Sequence, residues 1–386
     1  MESRPTLLYL TRVFLYLGFT AFGGYTALVA MVRKKLVDSD KVLDDQLIMD
    51  SIALASILPG PLAVNITAYL GFYLRGWAGA LLSMSAVLLP SVLLMILLSE
   101  FHDSYSSIPA VERFLLGVLP VIAAIILSVA YKMSRKNIRN GWQWIILIAV
   151  LVLSFLIRGY FIFLIMLLIG GISGWYFGEE DGLPHENTRR SDKAWSVIMG
   201  VVIIVITCLF FASFFQLESI LLFTFAKVSL TLFGGGYVMV PVLFDIVVEQ
   251  NKWLTDLEFS KAIAFGQITP GPILVSATFV GYRVAGIVGA ISATVGIFLP
   301  SAMLMIVVGV LYQSISQTIY IHKVLSGISP VIIAYITYSV VLIVPFSEID
   351  WFVILTIITS LVVMIRFNLS FFWLLLCFGF TRAIFF

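Results

Sequence analysis

Residues 50–75 read DSIALASILPGPLAVNITAYLGFYLR, and residues 261–286 read KAIAFGQITPGPILVSATFVGYRVAG. Both are apolar enough to enter a bilayer, and both are interrupted near the middle by Pro-Gly-Pro, at Pro59-Gly60-Pro61 and Pro270-Gly271-Pro272. Proline inside a helix removes a backbone hydrogen bond, clashes with the turn before it and biases the preceding residue away from helix. A helix therefore stops before each triplet, while Pro61 and Pro272 suit the first position of a new one. The two triplets are 211 residues apart, the first sign that the chain is built twice.

The rest of the chain has the same character. Of its 386 residues 61% are hydrophobic and 11% charged, against about 25% charged in soluble domains. Mean hydropathy is +1.09. So many apolar side chains exceed what one core can hide, and runs such as 145–156 and 201–215 do not alternate as barrel strands would. The expected fold is an all-α polytopic membrane protein with about 13 hydrophobic segments, about 20 residues being what a helix needs to cross. The start, Met1-Glu-Ser-Arg-Pro, lacks the basic region and cleavage site of a signal peptide, so the first helix is expected to remain as an anchor.

Outward from Pro-Gly-Pro the duplication extends in register. Thr20, Phe22, Gly23 and Gly24 match Thr231, Phe233, Gly234 and Gly235 at the same spacing, as do Lys41 and Leu43 with Lys252 and Leu254. At a spacing of 210, Gly71, Gly76, Gly79, Pro90-Ser91, Gly117 and Pro120 match Gly281, Gly286, Gly289, Pro300-Ser301, Gly327 and Pro330. The division expected is an N-terminal transport repeat over 1–178, a loop with a linking helix over 179–216, and a second repeat over 217–386. An odd number of spans before the second repeat makes it enter the membrane inverted, the arrangement of secondary transporters with a site at the repeat interface.

Lys and Arg in loops set orientation. The loops at 132–139 and 179–193 are rich in them, whereas 99–112 and 345–350 have none. The N-terminus is therefore expected in the cytoplasm of a cell-membrane protein and the C-terminus outside. If the interrupted segments are re-entrant hairpins rather than spans, more Lys and Arg fall on the cytoplasmic side, so the same rule favours hairpins.

The interruptions are the candidate site. Phe-Gly-Gly contributes Gly23, Gly24, Gly234, Gly235 and Gly236; Pro-Gly-Pro contributes Pro59, Gly60, Pro61, Pro270, Gly271 and Pro272. Amides at the helix starts after the triplets, near 62–65 and 273–276, would point unpaired into the break, and a helix N-terminus attracts anions. Irregular backbone at membrane depth survives where protein or a watery cavity satisfies it. Asn65 and Ser276 are candidate side-chain donors, with Thr67, Gln267 and Thr278 nearby. Lys227 lies about ten residues into its segment, roughly 15 Å deep, where a charge is costly; it is either the field source facing an anion or the partner of a broken-helix carbonyl. Gly170, Gly174 and Gly178 read as a small-residue packing face.

Several function classes fall away. Net charge is +2, with no basic run for nucleic acid. The three histidines lie near loops with no metal-ligand spacing, and no P-loop is present, so neither an enzyme, a metal site nor a cofactor is expected. Cys208 and Cys377 lie in apolar runs as ordinary buried thiols. The expected partners are a small oxyanion and the lipid bilayer, with a homo-oligomer open.

These motifs carry a resemblance. Ala21-Phe-Gly-Gly, Leu58-Pro-Gly-Pro, Lys227-Val-Ser-Leu-Thr-Leu-Phe-Gly-Gly-Gly-Tyr-Val, Trp253-Leu-Thr-Asp, Ile268-Thr-Pro-Gly-Pro and Gly296-Ile-Phe-Leu-Pro-Ser resemble the chromate ion transporter (CHR) family in its two-domain form. The first half departs, with Tyr25 after Phe-Gly-Gly where proline is expected and Val42 in place of a tryptophan like Trp253. The resemblance implies a secondary transporter of a tetrahedral oxyanion, chromate efflux first and its isostere sulfate second; a channel or scaffold subunit is the competing class.

Overall fold

The structure is a computed structural model that describes residues 5–21, 24–102, 108–157, 159–178, 200–204, 207, 216–231, 236–312, 319–344, 350–366 and 371–385. Among these there is no strand. Most of the expected linking helix, all of the 179–193 loop, Gly23, Gly234 and Gly235 lie outside the described residues. The helices are α1 (Leu7–Thr20), α2 (Gly24–Arg33), α3 (Asp45–Ile57), α4 (Leu62–Glu100), α5 (Pro109–Asn137), α6 (Gly141–Leu156), α7 (Tyr160–Phe177), α8 (Gln216–Thr231), α9 (Met239–Phe244), α10 (Asp256–Ile268), α11 (Ser276–Tyr312), α12 (Ile319–Ile343), α13 (Trp351–Arg366) and α14 (Phe371–Phe385). Four helical stretches are long and apolar enough to cross a membrane, at 62–100, 109–137, 273–310 and 323–343, and the protein is a multi-pass membrane protein.

The backbone repeats where the sequence does. A π-helical turn follows α2 at Lys34–Ser39 and α9 at Asp245–Gln250. Lys41 and Lys252 both adopt the left-handed conformation, at φ 51° and 52°, and Gly60 and Gly271 share φ of 109° and 105°. Just after the left-handed lysines, Val42 N–H donates to Leu36 O and Trp253 N–H to Val247 O, both at 2.8 Å. Gly76 and Gly286, at φ 62° and 60°, interrupt α4 and α11.

The chain forms two compact units that cut across the repeats: 1–99 with 185–236 and 269–316, and 100–184 with 237–268 and 317–386. In the first unit the N-terminal segment is a pair of helical hairpins. Thr6 caps α1 by accepting from Tyr9 N–H at 3.1 Å. Tyr9 then donates its hydroxyl to Asp40, at the far end of the π turn, and Lys35 holds the other carboxylate oxygen at 3.0 Å. Arg75, at the end of the first part of α4, donates to Pro5 O. Residues 5, 40 and 75 therefore share one end of the unit. The interruption at 58–61 lies at the opposite end. With 14 and 13 residues in α1 and α3, each arm reaches about 20 Å, short of the hydrocarbon thickness of about 30 Å.

The long helices α4 and α11 are each two helices. At Gly76 the chain doubles back: a Cβ on Gly71 would lie 2.5 Å from Gly79 O, and Ala68 and Ala80 share a core cluster with Phe72. At Gly286 it doubles back likewise, with Thr278 and Thr294 hydrogen-bonded at 2.7 Å. The first part of α4 runs parallel to the last part of α11, since Gly60 abuts Ser301 and Tyr69 abuts Gly309. The symmetric pair is parallel too, with Gly271 beside Ser91 and Ser99 donating to Phe279 O at 3.3 Å. Parallel partners across the repeats and reversal within each leave equivalent helices running in opposite directions. That is an inverted repeat, and it follows from contacts alone.

The second unit is organised on α5, whose residues 117–126 are all buried, packed by α10, α12, α13 and α14. Small residues set the approach: Gly170 and Gly174 of α7 lie on Gly327 of α12, Gly178 on Lys323, and Gly117 of α5 on Gly379 of α14. The expected packing face is therefore what the structure uses, since missing side chains let backbones meet where lipid offers no hydrophobic drive. Arg382 reaches Asp350 at 3.4 Å and lies over the Phe352 ring.

Candidate functional site

In the first unit, Leu58 is extended (ψ 151°) ahead of Pro59, as the following proline requires, and Gly60 supplies a positive φ. Pro61 starts the next helix, and its carbonyl accepts from Val64 and Asn65 N–H at 3.0 Å each. The amides expected open over 62–65 are thus reduced to those of Leu62 and Ala63, because a tight first turn closes the later two. The second break behaves alike: Val275 N–H donates to Pro272 O at 3.0 Å, and Ser276 N–H is taken up by the 3-10 turn Ile273–Val275. Ile273 and Leu274 N–H remain at the open end, where a helix has no acceptor of its own.

Asn65 and Ser276 occupy the same position in the two repeats. Their exposures are 0% and 1%, and Asn65 Oδ1 and Ser276 Oγ have no partner among the described residues. Buried polar atoms are normally satisfied; these two stand unsatisfied at symmetry-related positions beside two helix starts. Asn65 spends one amide N–H on Pro59 O at 3.2 Å, bracing its own break, and keeps the second for another acceptor. Thr269 Oγ1, next to Pro270, and Ser229 Oγ are also buried without partners among the described residues.

The second Pro-Gly-Pro meets the flanks of both Phe-Gly-Gly segments. Gly271 N–H donates to Ala21 O at 3.2 Å, joining the second Pro-Gly-Pro to the flank of the first Phe-Gly-Gly. A Cβ on Gly236 would stand 2.5 Å from Ile273 Cγ2, so the second Phe-Gly-Gly flank meets the same helix start. Gly24 opens α2.

Other candidates sit elsewhere. Thr67 donates to Ala63 O at 2.8 Å and Thr278 pairs with Thr294, which commits both to packing. Gln267 belongs to the second unit, where its Oε1 accepts from the Tyr237 hydroxyl at 3.4 Å. Lys227 is exposed, on the same helix face as the exposed Phe223 and Leu230. It stands one turn before the end of α8, where a cation suits the negative helix terminus; nothing places its ammonium beside Asn65 or Ser276.

Sequence reasoning missed Ser91 and Ser301 as neighbours of the opposite Pro-Gly-Pro, although the repeated Pro-Ser was visible. It also missed the Tyr9–Asp40–Lys35 latch. Hydrogen bonding from Tyr9, outweighing the effect of burial, holds the Asp40 carboxyl below its usual range, with Lys35 adding to it. Among the described residues, no group of three or more His, Cys, Asp or Glu could hold a metal ion.

A family model described as chromate transporter matches residues 8–175 and 219–383. An uncharacterised transporter of Methanocaldococcus jannaschii is 30% identical over 362 residues, covering 91% of this chain and 88% of that protein. A chromate transport protein of Cupriavidus metallidurans is 28% identical over 360 residues, 89% of this chain and 84% of the other. A probable chromate transport protein of Synechococcus elongatus is 28% identical over 321 residues, 83% and 80% of the two chains. No solved structure matches the chain.

Proposed function

The chain belongs to the chromate transporter family, and on that premise we propose that it is a secondary transporter of a tetrahedral oxyanion, with chromate as substrate and efflux as direction. Sulfate, of the same shape and charge, is the competing substrate. The transport repeats are 1–178 and 217–386, flanking the loop and linking helix of 179–216, and the N-terminus lies in the cytoplasm with the C-terminus outside. Access alternates around a site formed by the breaks of the two repeats.

One observation carries this reading: the symmetry-related pair Asn65 and Ser276, buried with unsatisfied atoms beside two open helix starts. A dianion in low dielectric needs several donors, and partial charges spread over two helix N-termini supply them without a buried counter-charge. Gly236, where a Cβ would stand 2.5 Å from Ile273 Cγ2, keeps a side chain away from the second helix start, while Lys227 adds positive potential from the end of α8. Chromate should raise the melting temperature of the detergent-purified protein in a saturable way. Ser276→Ala, which removes a hydroxyl but no packing partner, should keep the ligand-free melting temperature and weaken the chromate effect roughly ten-fold in concentration. An unchanged chromate response in Ser276→Ala and Asn65→Ala would remove both residues from the site.

A further inference from the structure

Ser91 and Ser301 are the serines of the repeated Pro-Ser pairs. Both are fully buried. Each follows a proline in a helix interior, Pro90 and Pro300, and they are 210 residues apart. Each lies against the Pro-Gly-Pro glycine of the other repeat. A Cβ on Gly60 would overlap Ser301 Cβ and Oγ, and would stand 2.9 Å from Asn65 Nδ2. A Cβ on Gly271 would stand 3.1 Å from Ser91 Oγ.

A hydroxyl is a poor choice if packing were the only task, because alanine would fill the same contact with no polar atom to satisfy. The hydroxyls make only local bonds: Ser91 donates to Leu88 O at 2.9 Å and Ser301 to Phe298 O at 3.3 Å, each within its own turn. Such local bonds are weak competitors, and a hydroxyl rotor can leave them by turning about one bond. An oxyanion is an acceptor only, so it is the partner that would draw them away, and hydrogen bonds to a charged acceptor are about twice as strong as neutral ones.

We propose that Ser91 and Ser301 are cross-repeat ligands of the transported oxyanion. Each donates its hydroxyl to substrate oxygen at the Pro-Gly-Pro break of the opposite repeat. This deepens the transport reading above and rests on it. At the first break the set is Leu62 and Ala63 N–H and Asn65 from one repeat, with Ser301 from the other. At the second it is Ile273 and Leu274 N–H and Ser276, with Ser91. Because every set draws on both repeats, the full complement of donors exists only when the repeats are closed on each other, which gives the substrate a differential affinity for that state. The serines stand in close contact with the glycines of the two breaks, so they bear on which oxyanion fits.

The test uses full-length protein in liposomes, measuring initial rates of labelled chromate uptake against chromate concentration, with sulfate and molybdate as competitors. Ser91→Ala and Ser301→Ala keep the Cβ contact with glycine, so ligand-free melting temperatures should match wild type. Each should raise the half-saturating chromate concentration roughly ten-fold or more and change the ratio of chromate to sulfate inhibition constants. Ser301→Cys, similar in volume but a weak donor, is the second variant in case alanine perturbs folding, and should reproduce the defect. Wild-type half-saturation and selectivity in folded Ala and Cys variants would overturn the inference and leave the transport reading standing. No saturable uptake by the wild-type protein would overturn that reading and this inference with it.

Discussion

Gly60 holds two constraints at once. Its φ of 109° belongs to a region that side-chain-bearing residues avoid, and Ser301 already fills the space a Cβ would need. Gly271 shares the backbone constraint, at φ 105°, but meets Ser91 less tightly. Holding a non-glycine residue in such backbone costs about 1–3 kcal/mol. Gly60→Ala should therefore destabilise the purified protein more than Gly271→Ala, with both losing chromate transport; equal melting temperatures for the two would mean the Ser301 contact is not as close as described. The proline and glycine of each triplet were readable because their backbone chemistry is local. Ser91 and Ser301 as neighbours of the triplets were not, because those contacts join residues 180 and 241 positions apart, and no short pattern encodes them. Lys227 was read from depth alone, whereas its position depends on which helix face points outward, and that face is exposed.

The interrupted segments are the elements where sequence and structure inform each other most. Loop charge favoured re-entrant hairpins over spans, and the Tyr9–Asp40 bond with the Arg75–Pro5 contact places all three polar ends of the first pair together. Neither the π turns nor the left-handed Lys41 and Lys252 had a sequence signature, since lysine rarely adopts that conformation. They arise because a tight reversal between two half-length helices must be made whatever residue stands there. The latch closing the first hairpin has no copy in the second repeat, where Asn251 replaces Asp40 and Ile246 replaces Lys35. A carboxyl whose pKa is lowered on folding contributes stability that is present above its unfolded value of about 4. That contribution is lost as pH falls through the lowered folded value, so the latch is intact at neutral pH. At neutral pH, Ser39→Cys should react with an impermeant maleimide from the side that holds the N-terminus. Labelling from the opposite side would show that α1 and α2 cross the membrane rather than return.

At the scale of the molecule, the sequence argues the inverted relation from counting spans, a parity that holds whether the paired broken segments span or return. The structure reaches it independently, through parallel partners such as 60–301 and 69–309 and reversals at Gly76 and Gly286. Sequence could not foresee that the compact units draw on both repeats, because periodicity reports which residues are buried and not which distant helix buries them. For transport this interleaving matters more than the repeat itself: the candidate ligands at each break come from both halves of the chain. The most direct measurement is counterflow in liposomes carrying the purified wild-type protein, loaded inside with unlabelled chromate and given labelled chromate outside. The account predicts transient accumulation of label above the equilibrium level, saturable in chromate and absent from liposomes without internal chromate. Label that enters no faster than into protein-free liposomes, or enters regardless of internal chromate and without saturation, would contradict a carrier with an alternating oxyanion site.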